Sequence, residues 1–371
     1  MSEVKRILCI VSSMNAGGAE TYLMKLYRTL NKNLYQMDFC INVKEKGFYD
    51  DEIRNLGGKI YFIPCKSERL RDFKHNLGRI VSENNYQYVL RITSNAFGFW
   101  DLKIAKKNGA KICIARSSNS SDGNSIKSKI SHILGKVLYS RYVDIKISPS
   151  DLAAKYTFGK AAYEMGDVKI LHNALDLNVY SYSDMGRNAI RSEFGINSNT
   201  VVVGHIGRFS VQKNHEYILE IFKQINMIVP NSIFMLVGKG EMQINVENRV
   251  KQLGISNNVI FSGIRNDIPN VLSAMDVFVF PSFYEGMPNT IIEAQATGLP
   301  CVISDRITQE ADITGLVHYM DINDDPKKWA SVALNCITNK RKDTKADFIS
   351  NGYDINTVVC DFERIVFNEG V

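Results

Sequence analysis

The chain has 371 residues, of which 45% are hydrophobic and 23% charged, a composition that excludes a disordered protein. Its length exceeds what one hydrophobic core usually holds, so it predicts two domains. The longest apolar stretches, such as 7–11 and 277–280, fall far below the roughly 20 residues that a bilayer-spanning helix needs. The opening is typical of a strand rather than of a signal peptide. We therefore expect a cytoplasmic protein without a membrane span.

The net charge of +6 is unevenly distributed along the chain. Residues 1–165 carry 27 Lys and Arg against 15 Asp and Glu, or +12, whereas the remainder carries 18 against 24, or −6. A basic half of this kind attracts phosphate-bearing or membrane-surface partners, and an ordinary solvated surface is the alternative.

The seven cysteines are scattered, odd in number and never in C-x-x-C spacing. This pattern predicts buried free thiols rather than ligands.

In chain order, the first half alternates strand-length apolar runs with segments of helical period. A strand at 7–12 precedes a helix at 19–30, in which the apolar residues share one face. Further strands are expected at 39–43, 60–63, 88–92, 111–115, 144–147 and 169–171, with helices between most of them. The alternation predicts a parallel sheet.

The pattern restarts after the polar stretch 182–199, which predicts a second α/β domain. Its strands are expected at 201–206, 233–237, 259–261, 277–280 and 301–304. The tail at 356–367 has helical spacing and no strand after it. We therefore divide the chain into domains 1–178 and 179–354, and expect the C-terminal helix, 355–371, to pack back on the first domain.

Glycine-containing loops follow several of the expected strands, where ligands of parallel sheets bind. Asn15-Ala16-Gly17-Gly18-Ala19-Glu20 lies between the first strand and the first helix. Two glycines let backbone N–H groups approach a ligand, and a helix N-terminus favours phosphate. A tight turn without a ligand is the alternative, and the dinucleotide fingerprint G-x-G-x-x-G is absent.

Two cations occupy the corresponding position in the second domain. Gly207, Arg208 and Lys213 lie in or just after the loop that follows the strand at 201–206. Two positive charges there would stabilise phosphates on which negative charge develops. A pair of surface cations is the alternative, but the loop position and the glycine context favour a phosphate site.

The densest motif is P-S-F-Y-E-G-M-P-N-T-I-I-E-A at 281–294. Glu285 lies in a Gly/Pro loop, and Glu293, eight residues on, falls in the first turns of a helix. One carboxylate is expected to reach sugar hydroxyls and the other the ribose, while N–H groups between them point toward phosphate. The intervening candidates are Gly286, Met287, Pro288, Asn289 and Thr290. A capped, solvated helix start is the alternative.

Taken with Gly17-Gly18 and the segment V-G-K-G-E at 237–241, these motifs resemble the retaining glycosyltransferases of family four. The sequence is most similar to members that serve bacterial capsular and exopolysaccharide assembly, and the resemblance is strongest in residues 201–305. It implies the GT-B fold, in which two Rossmann-like domains with parallel sheets face a central cleft. It also implies a metal-independent hexosyltransferase without a cofactor, whose nucleotide-sugar donor, expected to be UDP-linked, is held mainly by the second domain.

The resemblance assigns roles to single residues. Arg208 and Lys213 would bind the donor diphosphate, Glu285 the donor sugar and Glu293 the ribose hydroxyls. The first three are the residues expected to act in catalysis.

The glycines and one further arginine complete the donor site that the resemblance implies. Gly17 and Gly18 would close on the phosphates from the facing domain. Gly238 and Gly240 would let the nucleotide lie against the backbone, with Arg265 near the base.

One segment departs from the family pattern. Many polysaccharide relatives carry a histidine after the fifth strand, but residues 115–120 read A-R-S-S-N-S here. Arg116 and Asn119 are the acceptor-side candidates, and Arg116 is expected either to meet an anionic or donor group or to face solvent. Structural roles are expected for His205, in a strand, and for His215, at a helix start beside a capping Asn214.

The expected mechanism follows from the absence of a carboxylate pair suited to double displacement. We expect front-face attack by the acceptor, whose proton passes to a donor phosphate oxygen.

Other functions are alternatives to glycosyl transfer. A nucleotide-sugar epimerase of the same architecture would act without an acceptor, and a non-catalytic nucleotide-sugar sensor would bind the donor without converting it. A nicotinamide dehydrogenase would require a glycine fingerprint that this chain lacks.

The acceptor is expected to be a lipid-linked saccharide at the cytoplasmic membrane surface, with no nucleic-acid partner. Region 103–146 is rich in Lys and Arg and contains only Asp122 and Asp144 as acids. One helical stripe within it consists of Ile126, Ile130, Ile133, Leu134, Val137 and Leu138. A core-facing helix with solvated lysines is the alternative.

Overall fold

A computed structural model describes residues 4–15, 17–118, 126–285, 287–338 and 340–368. Two predicted site residues, Asn119 and Gly286, lie outside these ranges. The chain divides into two compact units. Unit 1 contains the residues up to Ala174 together with those from Gly352 onwards, and unit 2 spans Leu175–Asn351.

In the described residues of unit 1, the strands are β1 (Lys5–Ile10), β2 (Tyr35–Ile41), β3 (Ile60–Phe62), β4 (Tyr88–Thr93), β5 (Ile112–Ser117), β6 (Ile145–Ser148) and β7 (Val168–Ile170). They form one sheet in the order β3-β2-β1-β4-β5-β6-β7. Every neighbouring pair is parallel, which confirms the predicted sheet.

The helices of unit 1 are α1 (Gly18–Thr29), α2 (Asp50–Asn55), α3 (Leu70–Glu83), α4 (Phe99–Lys107), α5 (Ile126–Tyr139), α6 (Asp151–Phe158) and α7 (Lys160–Glu164). Apolar residues at helical spacing bury one side of α1 against the sheet, with Tyr22, Leu23 and Leu26 in the core. A second cluster, which includes Phe73 and Leu102, joins α3 and α4 to the sheet. Two apolar layers therefore stabilise this parallel sheet.

The strands found in the described part of unit 2 are β8 (Val201–Ile206), β9 (Ser232–Val237), β10 (Val259–Gly263), β11 (Val277–Phe280), β12 (Cys301–Ser304) and β13 (Val317–Met320). Their order is β10-β9-β8-β11-β12-β13, again with parallel pairs. The sequence pattern missed β13, because this short edge strand alternates buried Val317 with an exposed histidine and lacks a continuous apolar run.

The helices of unit 2 are α8 (Asp184–Glu193), α9 (His215–Ile228), α10 (Gln243–Leu253), α11 (Ile268–Ala274), α12 (Asn289–Ala296), α13 (Pro326–Asn335) and α14 (Lys345–Ser350). Two clusters of buried apolar side chains pack them on the sheet. Strand order places β8 next to both β9 and β11, so the loops after these three strands are neighbours at one edge.

The C-terminal segment belongs to unit 1. α15 (Ile355–Glu363) buries Val358, Val359 and Phe362 in the same cluster as α1. The helix ends earlier than the predicted tail, since Arg364–Asn368 adopt a π-helical turn. Phe367 then stacks on Tyr35, with ring centroids 4.3 Å apart.

Two sequence-based expectations about single side chains are wrong. The cysteines are free, but Cys360 is exposed and Cys65 and Cys336 are only partly buried, because they lie in loops or on outer helix faces. Asn214 does not cap α9 with its side chain. Its amide instead donates to the Pro281 carbonyl at 3.3 Å and so connects the start of α9 to the loop after β11.

The core-facing alternative for the stripe on α5 is also wrong. All six of its apolar side chains are exposed. The helix packs inward through His132 and Gly135 instead. In the described part of the chain, no helix combines the length and apolarity needed to cross a bilayer.

Candidate functional site

The loops at the carboxyl edge of the second sheet bring Lys213 and Glu285 together. The Lys213 Nζ lies 2.6 Å from the Glu285 Oε1, and the two side chains are 15% and 11% exposed. The same ammonium lies 4.4 Å from the centre of the Phe280 ring. A nearly enclosed ion pair with a cation–π contact holds both charges in fixed positions.

Backbone contacts hold the two loops that carry this pair. The Phe283 N–H donates to the Gln212 carbonyl at 2.9 Å, and the Gln212 side-chain amide donates to the Tyr284 carbonyl at 2.8 Å. Residues 72 positions apart in sequence are thereby fixed side by side. The sequence motifs identified Lys213 and Glu285 separately, whereas the structure shows that they form one unit.

Arg208 lies in the same loop but is held differently. Its guanidinium is 73% exposed and binds Glu241 at 3.0 Å, in the loop that follows β9. A cation this exposed can change partner at small cost, because surface ion pairs are weak. This edge therefore carries one exposed positive charge, on Arg208, and one nearly enclosed positive charge, on Lys213.

Glycines allow the loops after β8 and β9 to pack backbone against backbone. A Cβ on Gly238, whose φ is +129°, would lie 2.2 Å from the Gly207 carbonyl oxygen, and one on Gly240 would lie 2.3 Å from the Phe209 oxygen. Both positions therefore require glycine for loop packing alone. A nucleotide lying against the backbone, the role predicted from sequence, stays a prediction.

Glu293 lies on α12 and is contacted by a residue that the sequence analysis missed. The Tyr180 hydroxyl lies 3.3 Å from the Glu293 Oε1. No motif could have identified Tyr180, because it precedes Glu293 by 113 positions and belongs to no repeated pattern. The contact gives the Glu293 carboxylate a defined orientation.

The alternative of a capped helix start is not supported by this geometry. Pro288, the residue at the N-cap position of α12, makes no side-chain capping hydrogen bond. Glu285 is engaged by Lys213, and Glu293 lies within the helix. Of the other residues predicted between them, Pro288 is buried, and Met287, Asn289 and Thr290 are partly exposed.

Arg265 is held by two carboxylates rather than left open toward a ligand. Its guanidinium lies 2.5 Å from Glu193 and 2.7 Å from Asp267. Hydrogen bonds to Asp267 and Glu193 raise the pKa of Arg265 above its usual range. A contact with a nucleotide base therefore requires this residue to exchange one of those partners.

Two buried histidines, His205 and His215, pack beside the loop that carries Lys213. The His215 ring stacks on Phe209 at 4.5 Å, and the His205 ring lies 5.0 Å from His215. Burial lowers the pKa of His215 to about 4 and also lowers the pKa of His205 well below its ordinary value. Both imidazoles are therefore neutral near pH 7, which agrees with the structural roles predicted for them.

In unit 1, Gly17 is the residue before α1 and Gly18 is the first residue of that helix. Gly17 precedes the helix in an extended conformation, and a Cβ there would lie 2.4 Å from the Glu20 carboxylate. Burial raises the pKa of Glu20. This carboxylate lies close to the helix N-terminus to which the sequence analysis assigned a phosphate.

Arg116 does not face solvent, which corrects one of the two expectations for it. Its guanidinium carbon lies 3.4 Å from the Tyr22 ring centre, and it donates to the Asn173 Oδ1 at 2.7 Å. The side chain is buried, and burial lowers its pKa. Here Arg116 connects the end of β5 to the segment that leaves β7.

His172, in that same segment, stacks on Tyr353 at a centroid distance of 4.1 Å. Its Nδ1 lies 2.8 Å from the Pro149 carbonyl, and burial lowers its pKa.

Within the described ranges, no group of three or more His, Cys, Asp or Glu side chains is arranged to hold a metal ion.

The chain is similar to known proteins in sequence and in fold. Residues 186–353 match the family model described as "Glycosyl transferases group 1". The chain is 30% identical over 362 residues to the putative glycosyltransferase EpsF of Bacillus subtilis (strain 168), an alignment that covers 95% of this chain and 94% of EpsF.

A second relative carries a more specific name. UDP-Gal:alpha-D-GlcNAc-diphosphoundecaprenol alpha-1,3-galactosyltransferase of Escherichia coli is 28% identical over 288 residues, which are 72% of each chain. In fold, the chain is similar to HepE of Anabaena, crystallised in complex with UDP and glucose. The TM-score is 0.76 at 19% identity, with coverage of 98% of this chain and 99% of HepE.

Proposed function

Because the chain belongs to the group 1 glycosyltransferases and has their GT-B fold, we propose that it transfers a hexose from a UDP-sugar to a lipid-linked saccharide. The transfer proceeds with retention of the anomeric configuration and without a metal ion. Its product is an intermediate of cell-surface polysaccharide assembly. The donor, the acceptor and the stereochemistry are each part of the proposal.

The pairing of Lys213 with Glu285 carries the proposal. The bond that breaks in a sugar nucleotide joins a phosphate to a sugar carbon. A phosphate needs a cation, and sugar hydroxyls need an acceptor such as a carboxylate. Lys213 and Glu285 supply these two groups 2.6 Å apart, so a donor bound there has its scissile bond beside both.

Binding of the donor requires Lys213 to exchange part of its contact with Glu285 for a phosphate oxygen. Glu285 then accepts hydrogen bonds from the hexose hydroxyls. Arg208 can leave Glu241 and add a second positive charge to the diphosphate, since its present ion pair is exposed. Glu293, oriented by Tyr180, accepts hydrogen bonds from the ribose hydroxyls.

The transfer is a front-face displacement. The acceptor hydroxyl oxygen forms a bond to the anomeric carbon as the bond from that carbon to the phosphate oxygen breaks. The bonding electrons remain on the departing UDP, and the acceptor proton passes to one of its phosphate oxygens. Lys213 and Arg208 stabilise the charge that develops on UDP, a type of stabilisation that commonly dominates such reactions.

Two relatives support the donor and acceptor classes. HepE was crystallised with UDP and glucose, and the E. coli relative is named for UDP-Gal and a diphosphoundecaprenol-linked acceptor. The acceptor class also leads us to propose that the protein acts at the inner face of the cell membrane.

The test is a transfer assay with purified protein, a panel of UDP-hexoses and a lipid-linked saccharide, with EDTA present. NMR of the product should show the anomeric configuration of the donor. Inversion, or strict dependence on a divalent metal, would contradict the mechanism. Conversion of the sugar nucleotide without any acceptor would instead indicate an epimerase.

A thermal-shift panel identifies the donor independently of the acceptor. The true donor raises the melting temperature through mass action, and UDP-sugars should do so more than GDP- or ADP-sugars. Stabilisation without turnover in any acceptor mixture would favour a nucleotide-sugar sensor.

A further inference from the structure

The inward face of α5 is formed by one polar side chain, His132, and by Gly135, which has no side chain. The His132 Nδ1 accepts a hydrogen bond from the Ala96 N–H at 3.1 Å, and its ring stacks on Tyr156 at 4.4 Å. A Cβ on Gly135 would lie 2.3 Å from the Ala96 carbonyl carbon. The helix therefore docks on unit 1 through a close contact that only glycine permits and through hydrogen bonds, rather than through its apolar residues.

The outward face of α5 is apolar. Its six aliphatic side chains are between 48% and 77% exposed, and they are Ile126, Ile130, Ile133, Leu134, Val137 and Leu138. With 3.6 residues per turn, their common direction lies opposite His132 and Gly135. The stripe is about 18 Å long at 1.5 Å per residue. A soluble helix normally has the reverse arrangement, with its apolar face inward.

Positive charges border the stripe. The helical period places Lys127 on one flank and Lys129 with Lys136 on the other. No acidic residue occurs from 126 to 143. At the end of the helix, the Lys103 Nζ lies 5.0 Å from the ring centre of Tyr139, and Arg141 lies over Tyr142.

We propose that α5 lies in the headgroup region of an anionic lipid bilayer, with the stripe directed toward the acyl chains. A helix with an apolar face flanked by lysines is suited to this position, and tyrosines prefer the same depth. Charge complementarity favours an anionic bilayer over a second copy of the chain as the partner of α5. A second copy of the chain would oppose one basic face to another, whereas an anionic surface attracts both flanks.

The proposal deepens the proposed function and rests on it in one respect. If the acceptor is lipid-linked, α5 is the surface that brings unit 1 to the membrane in which that acceptor resides. Binding to vesicles requires neither donor nor acceptor, so it can be measured apart from transfer.

The experiment is co-sedimentation of the full chain with two kinds of vesicle. One consists of neutral phosphatidylcholine, and the other also contains roughly 30 mol% phosphatidylglycerol, which makes its surface anionic. Wild type should bind the anionic vesicles. Ile133→Glu with Val137→Glu should reduce the partition coefficient at least about tenfold, because two charges would enter the apolar region. Lys127→Gln with Lys129→Gln should reduce it about tenfold through lost attraction to the lipid.

The matched control places the same charges on exposed apolar positions of unit 2, as Met227→Glu with Ile244→Glu. These residues are 68% and 70% exposed, and this variant should bind vesicles like wild type. Equal binding to neutral and anionic vesicles would overturn the proposal, as would full binding by the Ile133/Val137 variant. A dimer that this variant converts to a monomer in sedimentation would assign the stripe to a second copy instead.

Transfer to a water-soluble acceptor fragment distinguishes this proposal from the proposed function. The α5 variants should retain that activity while losing vesicle binding. Loss of vesicle binding with intact soluble transfer supports the α5 surface. Vesicle binding without any transfer would contradict the proposed function alone.

Discussion

The carboxyl edges of the two sheets hold their charges in different ways. In unit 2, Lys213 and Glu285 form a pair in loops, and Glu293 contacts Tyr180 through its carboxylate. In unit 1, Arg116 is buried under Tyr22 and bound to Asn173. In the proposed function, the first arrangement takes the donor as a further partner, whereas the contacts of Arg116 hold two chain segments together.

The proposed donor site accounts for the concentration of the motifs in unit 2. A sugar nucleotide presents the same diphosphate and ribose wherever it binds, so its contacts favour fixed residue types in fixed loops. An acceptor varies in chemistry and leaves no common pattern. In the first half, the feature that suggests a partner is the exposed apolar stripe of α5 with its three lysines, rather than a motif.

The largest effect is expected from loss of the fixed cation. Lys213→Met should reduce turnover on the order of 10²–10³-fold, because it removes charge stabilisation from the departing diphosphate. Steady-state kinetics with saturating donor measures this. Lys251→Met, an exposed lysine on α10, is the control and should remain near wild type.

A double variant separates catalysis from packing. Lys213→Met alone leaves the mostly buried Glu285 unpaired, which costs stability. Lys213→Met with Glu285→Gln removes both charges and should restore the melting temperature without restoring turnover. Recovery of activity in the double variant would mean that Lys213 only neutralises Glu285, and the contrast between the two edges would fail.

Acidification should weaken unit 2 through His215. Its pKa of about 4 in the folded protein lies below the ordinary 6.5, so the folded state favours the neutral ring. The stabilisation is complete above pH 6.5 and is lost as the pH falls toward 4, at a cost of up to about 3 kcal/mol.

Each unit contains one of the two tryptophans, which makes the pH effect measurable by unit. Trp329 fluorescence in a Trp100→Phe background should report urea unfolding of unit 2. The urea concentration at the unfolding midpoint should decrease as the pH is lowered from 6.5 to 4. His215→Phe, which preserves stacking on Phe209, should make this dependence shallower, while the buried His205 continues to contribute to it. An unchanged slope in that variant would exclude His215 as its cause.

A smaller effect is expected from Arg116→Met, and it should be confined to unit 1. The variant loses the bond to Asn173 and the contact with Tyr22, which should lower the free energy of unfolding by about 2 kcal/mol. Trp100 fluorescence in a Trp329→Phe background measures it, and UDP affinity should not change. Unchanged stability with a raised KM for acceptor would instead support the predicted acceptor contact.

The smallest effect concerns the orientation of Glu293. Tyr180→Phe removes one hydrogen bond, worth about 1 kcal/mol, so UDP and UDP-sugar should each bind about fivefold more weakly. Tyr182→Phe, which loses a bond to Asp184, is the nearby control and should bind both ligands normally. Equal behaviour of the two variants would remove the role assigned to Tyr180.

The sequence predicted the architecture because strand-length apolar runs and helical periods are local properties. Strands β8, β11 and β12 begin and end where the apolar pattern does, and the parallel sheets follow from the alternation with helices. Strand β13 lacks an apolar run of its own, since pairing with β12 rather than composition defines it. Local pattern cannot reveal such an element.

Contacts between distant residues could not be predicted in the same way. The motifs indicated Lys213, Glu285 and Glu293, but the ion pair and the Tyr180 contact depend on how the loops fold together. For α5, the period indicated one apolar face without saying which face packs. Gly135 and His132 decide this, because their contacts with Ala96 direct the apolar stripe outward.

The central claim is that the edge of unit 2 binds a sugar nucleotide, with Glu285 on the sugar and Glu293 on the ribose. Calorimetric titration of Glu285→Gln and Glu293→Gln with UDP and with UDP-sugar tests it most directly. Glu293→Gln should reduce the affinity for both ligands by at least about tenfold. Glu285→Gln should reduce the affinity for the UDP-sugar only, because UDP does not contact Glu285 in the proposed site. Equal losses for both ligands in the Glu285 variant would contradict the claim.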